Sequence, residues 1–268
     1  MELCPVTRGH AGGKRGTMKV SFNELQSLSC KAFMGMGFSD GQATDAADML
    51  CWMESYGLEG LKTLGAALRQ YSLEHPYAPP ESLYQDTDVT VLDAHDASVL
   101  ACSHLPLELA FAKARARGLS VLKIRRCRQR QLIMGYIARL ASRGMNVTAF
   151  WRNSQLPLTE QVVGFRANSS VPSIRIYAVS EVPEENKENT GITVVMANHV
   201  DLLPTMRSDY EYDLLARHDE LDLLNIRSQA ETVGITVDDT LWDQLKAFAK
   251  LTLVASNISS RSGAGPAD

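Results

Sequence analysis

The chain has 268 residues, of which 45% are hydrophobic and 22% are charged, a balance typical of a globular protein of one large or two small domains. Its formal net charge of −4 argues against bulk attraction to nucleic acid or to an anionic membrane surface. The five cysteines are scattered without a CxxC pair, and no apolar run is long enough for a membrane helix. We therefore expect a reduced, cytoplasmic protein without a disulfide framework or a zinc site.

The amino-terminal third predicts a group of helices. Ser21 followed by Glu24 has the pattern of a capping box, and Ser39 with Gln42 repeats it at the start of a second helix. Apolar residues after each cap recur at helical spacing. The sequence therefore predicts a helical segment from Ser21 to Tyr71.

The central stretch predicts a strand–helix–strand unit. An apolar strand covers Leu119–Ile124, a helix covers roughly Leu132–Arg143, and a second strand covers Met145–Trp151. This alternation is typical of a right-handed βαβ unit. We therefore expect the two strands to be parallel neighbours in one sheet.

The remaining elements complete a predicted α/β fold, with the helical segment packed on a mixed sheet that has at least one parallel βαβ unit. Further strands are predicted at Val89–Leu92, Ser173–Val179 and Ile192–Met196. An acidic amphipathic helix is predicted at Tyr210–Arg227, and the last helix has Thr236 and Asp239 as its capping residues.

The predicted domain organisation is simple. Residues 1–17 are rich in glycine and are expected to form a disordered extension. Residues 18–258 are expected to form a single domain, and residues 259–268 a flexible, polar tail.

A basic run surrounds the central unit, with 11 Lys or Arg and no acid between Leu109 and Thr159. Ligands of parallel sheets bind beyond the carboxyl ends of the strands. The residues that follow these two strands are Arg125, Arg126, Arg128 and Arg130, and then Arg152, Asn153 and Ser154.

This placement predicts an electropositive concavity for a small carboxylate or phosphate. Pairing with the acidic stretch Glu181–Asp222, or with a second subunit, is the alternative. Contact with nucleic acid is disfavoured, because few aromatic residues accompany the cations.

Three segments carry a resemblance to a known family. They are AADMLCWMESYGLEGL from Ala46, ARGLSVLKIRRC…GYIARLASRGMNVTAFWRNS from Ala116, and LWDQLKAFAKLTLVASNISSRSGAG from Leu241. Together they resemble the type-2 malate/L-lactate dehydrogenases, and more closely a bacterial branch of that family defined as a domain of unknown function.

The resemblance implies a non-Rossmann fold, usually dimeric, that transfers hydride between NAD or NADP and a small 2-hydroxy, 2-keto or imino acid, without a metal. It also implies a histidine that donates or accepts a proton. The Gly57–Gly60 element lacks that histidine, and the Cys127–Arg130 turn lacks the second one. Glu59 is then the candidate acid, provided that burial raises its pKa, and we expect it to lie close to the Arg126 turn.

The candidate ligand-binding residues are Arg126, Arg128, Arg130, Asn153 and Ser154. A non-catalytic protein that binds a small anion, or serves as a subunit on the same fold, is the alternative function.

Two other side chains have weaker functional interpretations. Cys127, if exposed among the arginines, would have a lowered pKa and could react, and an inert turn cysteine is the alternative. His199 follows the strand that ends near Ala197, and it is the histidine that we favour for a pocket.

Overall fold

The computed structural model describes residues 16–69, 79–153, 158–178, 190–201 and 214–252. The helices are α1 (Phe22–Gly35), α2 (Asp40–Ser55), α3 (Gly60–Leu68), α4 (Val99–Cys102), α5 (His104–Arg117), α6 (Met134–Ser142), α7 (Glu220–Val233) and α8 (Asp239–Lys250). The strands are β1 (Thr17–Val20), β2 (Glu81–Gln85), β3 (Val89–Asp93), β4 (Leu119–Arg125), β5 (Asn146–Asn153), β6 (Thr159–Phe165), β7 (Pro172–Ala178), β8 (Gly191–Ala197), β9 (Leu214–His218) and β10 (Ile235–Asp238).

The predicted helical segment is present and begins as its caps require. The Glu24 backbone N–H donates to Ser21 Oγ at 3.2 Å, and the Ser21 N–H donates to the Glu24 carboxylate at 2.7 Å. At the start of α2, the Ser39 N–H donates to the Gln42 side chain at 3.2 Å. These contacts satisfy amide groups that a helix start leaves unpaired.

Eight of the strands form one mixed sheet in the order β2-β3-β4-β8-β5-β6-β7-β9. Within the described part of the chain, the only parallel neighbours in this sheet are β3 and β4, which α4 and α5 connect. One hydrophobic cluster combines residues of α1, α2, α5 and α6 with residues of β4, β5 and β8. The predicted α/β class, with helices on a mixed sheet that has a parallel βαβ unit, is confirmed.

The predicted position of the parallel pair is wrong. Strands β4 and β5 share a sheet and a direction, but β8 lies between them and pairs antiparallel with both. A buried strand is predicted at β8 correctly, yet local sequence does not reveal that it inserts into the unit. The parallel partner of β4 is β3.

Two carboxy-terminal predictions also need correction. Within the predicted helix Tyr210–Arg227, residues 214–218 form β9, which pairs with β7, and the helix begins only at Glu220. The last helix is capped by Asp238, whose carboxylate accepts from the Thr240 and Leu241 N–H groups. Thr236 instead belongs to β10, which pairs with β1.

The predicted extension and tail, residues 1–17 and 259–268, lie outside the described residues apart from Gly16 and Thr17. The single-domain boundaries therefore stay a prediction. No helix in the described ranges has the length and apolar character to span a membrane.

Candidate functional site

The carboxyl ends of β3, β4 and β5 meet at one edge of the large sheet. Asp93 pairs with Arg125 in the β3–β4 register, and Arg125 is opposite Gly191, where β8 begins. A side chain at Gly191 would collide with the Ile124 carbonyl, so glycine permits the close approach of β8. Asn153 ends β5 at the same edge. The strand order therefore brings the loops that carry the predicted site residues to one edge of the sheet.

The loops that follow β3 and β4 run side by side beyond the strands. The Asp96 N–H donates to the Arg126 carbonyl at 2.7 Å, and the Arg128 N–H donates to the Ala97 carbonyl at 2.9 Å. Non-glycine residues with positive φ collect here, at His95, Asp96, Arg126 and Gln129. Such conformations cost free energy and are found preferentially at functional sites.

At the centre of these loops, Arg126 joins Asp93 to the imidazole of His95. The Arg126 Nε donates to both oxygens of the Asp93 carboxylate at 2.8 Å, and Arg126 Nη2 lies 2.9 Å from His95 Nδ1. The His95 backbone N–H also donates to Asp93 Oδ1 at 2.8 Å. The Asp93 side chain is 10% exposed, whereas those of Arg126 and His95 are 35% and 36% exposed.

This geometry selects one tautomer of the neutral His95 ring. A guanidinium can only donate, so His95 Nδ1 must accept, and the proton is then on Nε2. The Nε2 atom faces the exposed Glu81 carboxylate at 3.5 Å. His95 therefore presents a proton donor at the surface of the edge.

The Asp93 carboxylate is held in its charged form. Burial alone would raise its pKa, but the hydrogen bonds from Arg126 and the His95 N–H, with the charge of Arg126, hold that pKa below its ordinary value. Asp93 is thus a fixed anion that anchors Arg126, and through Arg126 it anchors the imidazole.

The arginines predicted to bind a ligand differ in their availability. Arg126 is engaged by Asp93, and Arg128 forms a 3.6 Å ion pair with Asp96. Arg130 opens a short 3-10 helix and forms no ion pair with any described residue. Among the described residues, the acids that pair with Arg126 and Arg128 come from β3 and from the loop that follows it. The predicted alternative, pairing with the stretch Glu181–Asp222, falls largely outside the described residues.

The other predicted ligand residues follow β5. Asn153 is the last residue of the strand and is opposite Thr159 of β6. Arg152 forms an ion pair with Glu160 across the same pair of strands. Ser154 lies outside the described residues, so its predicted role stays a prediction.

The helix that follows the Gly57–Gly60 element contacts the segment that follows the Cys127–Arg130 turn, because the Gln131 side chain donates to Thr63 Oγ1 of α3. Glu59 directly precedes α3 and has a φ of 54°, and its carboxylate is 64% exposed and pairs with Lys62 at 2.8 Å. The burial expected for Glu59 is absent. Burial instead raises the pKa of Glu54, whose carboxylate accepts from the Leu61 N–H at 2.7 Å.

The weaker candidates lose their functional interpretations. Cys127 is 3% exposed, and burial raises the pKa of its thiol to about 11, so the thiol is not a reactive nucleophile. His199 follows β8, which runs antiparallel to β4, and it therefore lies at the opposite edge of the sheet.

Sequence reasoning missed His95 and Asp93. A signal was available, because Asp93, His95 and Asp96 directly follow the predicted strand Val89–Leu92. Pairing that strand with β4 would have placed them beside the arginines. Within the described ranges, no group of three or more His, Cys, Asp or Glu residues could hold a metal ion.

The fold places this chain near dehydrogenases of known structure. Residues 20–104 match a family model described as a protein of unknown function, DUF3726. A dehydrogenase from Sinorhizobium meliloti superposes with a TM-score of 0.63 at 15% identity, covering 87% of this chain and 100% of that one. No curated protein sequence matches the chain significantly.

Two further solved structures are similar. Malate dehydrogenase from Pyrococcus horikoshii gives a TM-score of 0.61 at 13% identity, over 90% of this chain and 98% of the other. Δ1-Piperideine-2-carboxylate reductase from Pseudomonas syringae gives 0.57 at 11% identity, over 86% and 99%. The chain has a malate/lactate dehydrogenase-like fold, and the family model agrees with a domain-of-unknown-function branch related to it.

Proposed function

We propose that this protein is an oxidoreductase that uses NAD or NADP to interconvert a small 2-hydroxy acid and its 2-keto form, or a related imino acid. The observation that carries the proposal is the His95 imidazole, which Arg126 holds in one tautomer at the carboxyl edge of β3 and β4. His95 supplies the proton-transfer group that the Gly57–Gly60 element lacks.

The residues at the edge divide the chemistry between them. In the reducing direction, His95 Nε2–H gives its proton to the substrate oxygen or nitrogen as that atom gains electron density. The imidazolate that remains is stabilised by the Arg126 guanidinium, which donates to Nδ1, and solvent then returns a proton to Nε2. Asp93 and Arg126 keep the ring oriented and remain in their ion pair. Arg130, which has no ion pair with described residues, binds the carboxylate of the substrate.

A nicotinamide cofactor would supply the hydride. Its phosphates need cationic or N–H partners, and Arg126 and Arg128 are already neutralised by Asp93 and Asp96. Because Arg130 is assigned to the substrate carboxylate, Asn153 is the described residue at this edge that would contact the cofactor. A small acid as the substrate and a homodimer as the assembly are also part of the proposal.

The second candidate is a protein that binds a small acid at the same edge without catalysis. The neutralisation of Arg126 and Arg128 favours it, because a binding protein needs fewer free cations than a dinucleotide enzyme. The two candidates differ in whether His95 has to exchange a proton.

The test is turnover of reduced and oxidised nicotinamide cofactors with a panel of small keto, hydroxy and imino acids. With the substrate that the wild type uses, His95→Asn should lower kcat by on the order of 10²-fold or more, because general acid–base catalysis contributes about that much. Acid binding should persist, since Arg130 is intact.

His218→Asn is the matched control, because His218 is in β9 at the far end of the sheet. It should turn over like the wild type. Acid binding without turnover in any cofactor combination would leave the binding-protein alternative, and unchanged turnover in His95→Asn would remove the proposed role of His95.

A further inference from the structure

The outward face of α5 carries an apolar stripe formed by Leu105, Leu109, Ala112 and Ala116. All four residues are exposed, with exposed fractions of 69% for Leu105 and 37% for Leu109. Their spacing of four, three and four residues keeps them on one side of the 14-residue helix, as is typical of helices that pack against another helix. The opposite face of α5 is already buried in the hydrophobic core, so the stripe is a second apolar face.

The sizes of the side chains make this stripe complementary to itself. The two leucines lie in the amino-terminal half of α5 and the two alanines in the carboxy-terminal half. When a second α5 packs antiparallel about a two-fold axis at the middle of the stripe, Leu105 is opposite Ala116 of the second copy. Leu109 is likewise opposite Ala112. Each large side chain then meets a small one, whereas a parallel pair would oppose alanine with alanine and leave half of the contact poorly filled.

The charged residues beside the stripe are complementary in the same arrangement. Glu108 and Arg115 flank the stripe on one side and are seven residues apart. These are positions from which packed helices form salt bridges with each other. The antiparallel pair brings Glu108 of each copy next to Arg115 of the other, so two ion pairs form about the axis.

Both charged residues can make this contact. Arg115 is exposed and has no ion pair with any described residue. Glu108 is partly exposed, and its Oε1 atom accepts from the Tyr136 hydroxyl at 3.2 Å and from Arg143 Nη1 at 2.6 Å. These contacts hold the carboxylate beside the stripe, and its Oε2 atom has no hydrogen bond from a described residue. The carboxylate can therefore accept from Arg115 of a second copy without losing its internal partners.

We propose that α5 is a homodimer interface of this protein, in which the α5 helices of two copies pack antiparallel. The partner is a second copy because the sizes and the charges along α5 both complement α5 itself. The inference rests on the homodimer in the proposed function and gives that dimer an interface, and it does not require the redox chemistry. A helix of this length covers about 21 Å by 10 Å, less than the ~800 Å² per partner of a standard interface. We therefore expect a dimer that dissociates on dilution.

The test is sedimentation velocity of the full-length chain over a series of concentrations. Leu109→Glu should raise the dimer dissociation constant on the order of 10²-fold or more, because the two-fold axis places the new charge in the interface twice. Leu221→Glu is the matched control, since Leu221 is 75% exposed on α7, and it should dimerise like the wild type. A wild type that is monomeric at every concentration would overturn both this interface and the homodimer of the proposed function. A dimer that Leu109→Glu does not weaken would overturn only the α5 interface.

Charge reversals test the antiparallel orientation. Arg115→Glu and Glu108→Lys should each weaken the homodimer about tenfold, because each places like charges together twice. Arg117→Glu is the control for Arg115→Glu, since Arg117 pairs with Asp88 of its own chain, and it should leave the dimer unchanged. The melting curve of each variant checks that it is folded.

The two reversed chains should also prefer each other. When Arg115→Glu and Glu108→Lys are mixed in equal amounts, both ion pairs across the axis again join opposite charges, so the mixed dimer should be more stable than either homodimer. A mixture without this preference would contradict the antiparallel contact.

Discussion

The β3–β4 edge and the cavity of about 210 Å³ between α2 and α6 differ in backbone conformation and in how their polar groups are paired. At the edge the backbone is strained, with positive φ at His95, Asp96 and Arg126, while its central charges are paired. At the cavity the backbone is regular helix. Among the described residues, Asp48 there has no ion pair and only a 3.4 Å hydrogen bond from Gln26, and the Trp52 Nε1–H has no acceptor.

The difference distinguishes two kinds of region, one with a strained backbone and one with unpaired polar groups. Strain that surrounding contacts maintain indicates groups held ready for chemistry, as expected for a proton donor. Polar groups that lack partners inside a regular framework cost free energy, which the packing around them has to offset. The first type of site should be sensitive to loss of its internal pairs, and the second to loss of the packing that frames it.

The largest effect on stability is expected for Gly135→Ala, which tests that framework. The added Cβ would meet backbone atoms of Met49, which cannot rotate away, so we expect a loss of about 3 kcal/mol in the free energy of unfolding. Gly41→Ala, in α2 with open space around it, should instead gain ~0.5–1 kcal/mol. Chemical denaturation of both variants measures this, and equal stabilities would mean that α2 and α6 are not in close contact.

A smaller effect is expected for Asp93→Asn, which tests the pairing at the edge. It leaves Arg126 with a weaker acceptor, so we expect a loss of about 2 kcal/mol, less than for a fully buried pair because Arg126 is partly exposed. Asp88→Asn breaks the exposed pair with Arg117 and should cost only ~0–1 kcal/mol.

The Asp93 effect has a defined pH dependence. Because the folded-state pKa of Asp93 is lowered from 3.8, its stabilisation is complete above that value and is lost as the pH falls through the lowered pKa. Unfolding measured across this acidic range should bring the wild type and Asp93→Asn together. A constant difference down to the lowest pH would show that Asp93 does not act as a charged partner.

The smallest effect is expected for substitutions of Glu54. They test whether the segment from Glu54 to Leu61 takes part in the chemistry at the β3–β4 edge or only stabilises the helices. Glu54→Ala would leave the Leu61 N–H without its acceptor and should cost ~1 kcal/mol, whereas Glu54→Gln keeps an acceptor and should cost less. Burial raises the Glu54 pKa above 4.5, so wild-type stability relative to Glu54→Gln should fall as the pH rises through the raised value.

Loss of turnover in Glu54→Gln, without loss of stability, would place Glu54 in the chemistry instead. Matched thermal melts and assays at two pH values distinguish these outcomes.

Local sequence was sufficient for much of the fold. The caps at Ser21 and Ser39, and the strand around Leu119–Ile124, depend on contacts within a few residues, which a pattern can represent. The insertion of β8 between β4 and β5 depends on a pairing across about 70 residues. The residues next to Gly191 in the sequence form no pattern that predicts this pairing.

For the candidate edge, the sequence pattern predicted the arginines but not their partners. The arginines after β4 were placed at a strand end correctly, because that follows from direction alone. Their partners Asp93 and Asp96 come from the end of β3 and the loop after it, and no prediction paired that strand with β4, so the charge balance of the edge was misjudged. The prediction that Glu59 is buried was wrong for a different reason, because burial depends on tertiary packing. Glu54, in the last turn of α2, takes the buried position instead.

The most direct test of the β3–β4 edge is nitrogen–proton correlation NMR of the histidine rings, with His95→Asn used to assign the His95 signals. In the neutral ring we expect the proton on Nε2 and none on Nδ1, and we expect these signals to move when the small acid that the protein turns over is added. A proton on Nδ1, or His95 signals that no cofactor or small acid changes while other signals respond, would contradict the assignment of this edge as the site of proton transfer.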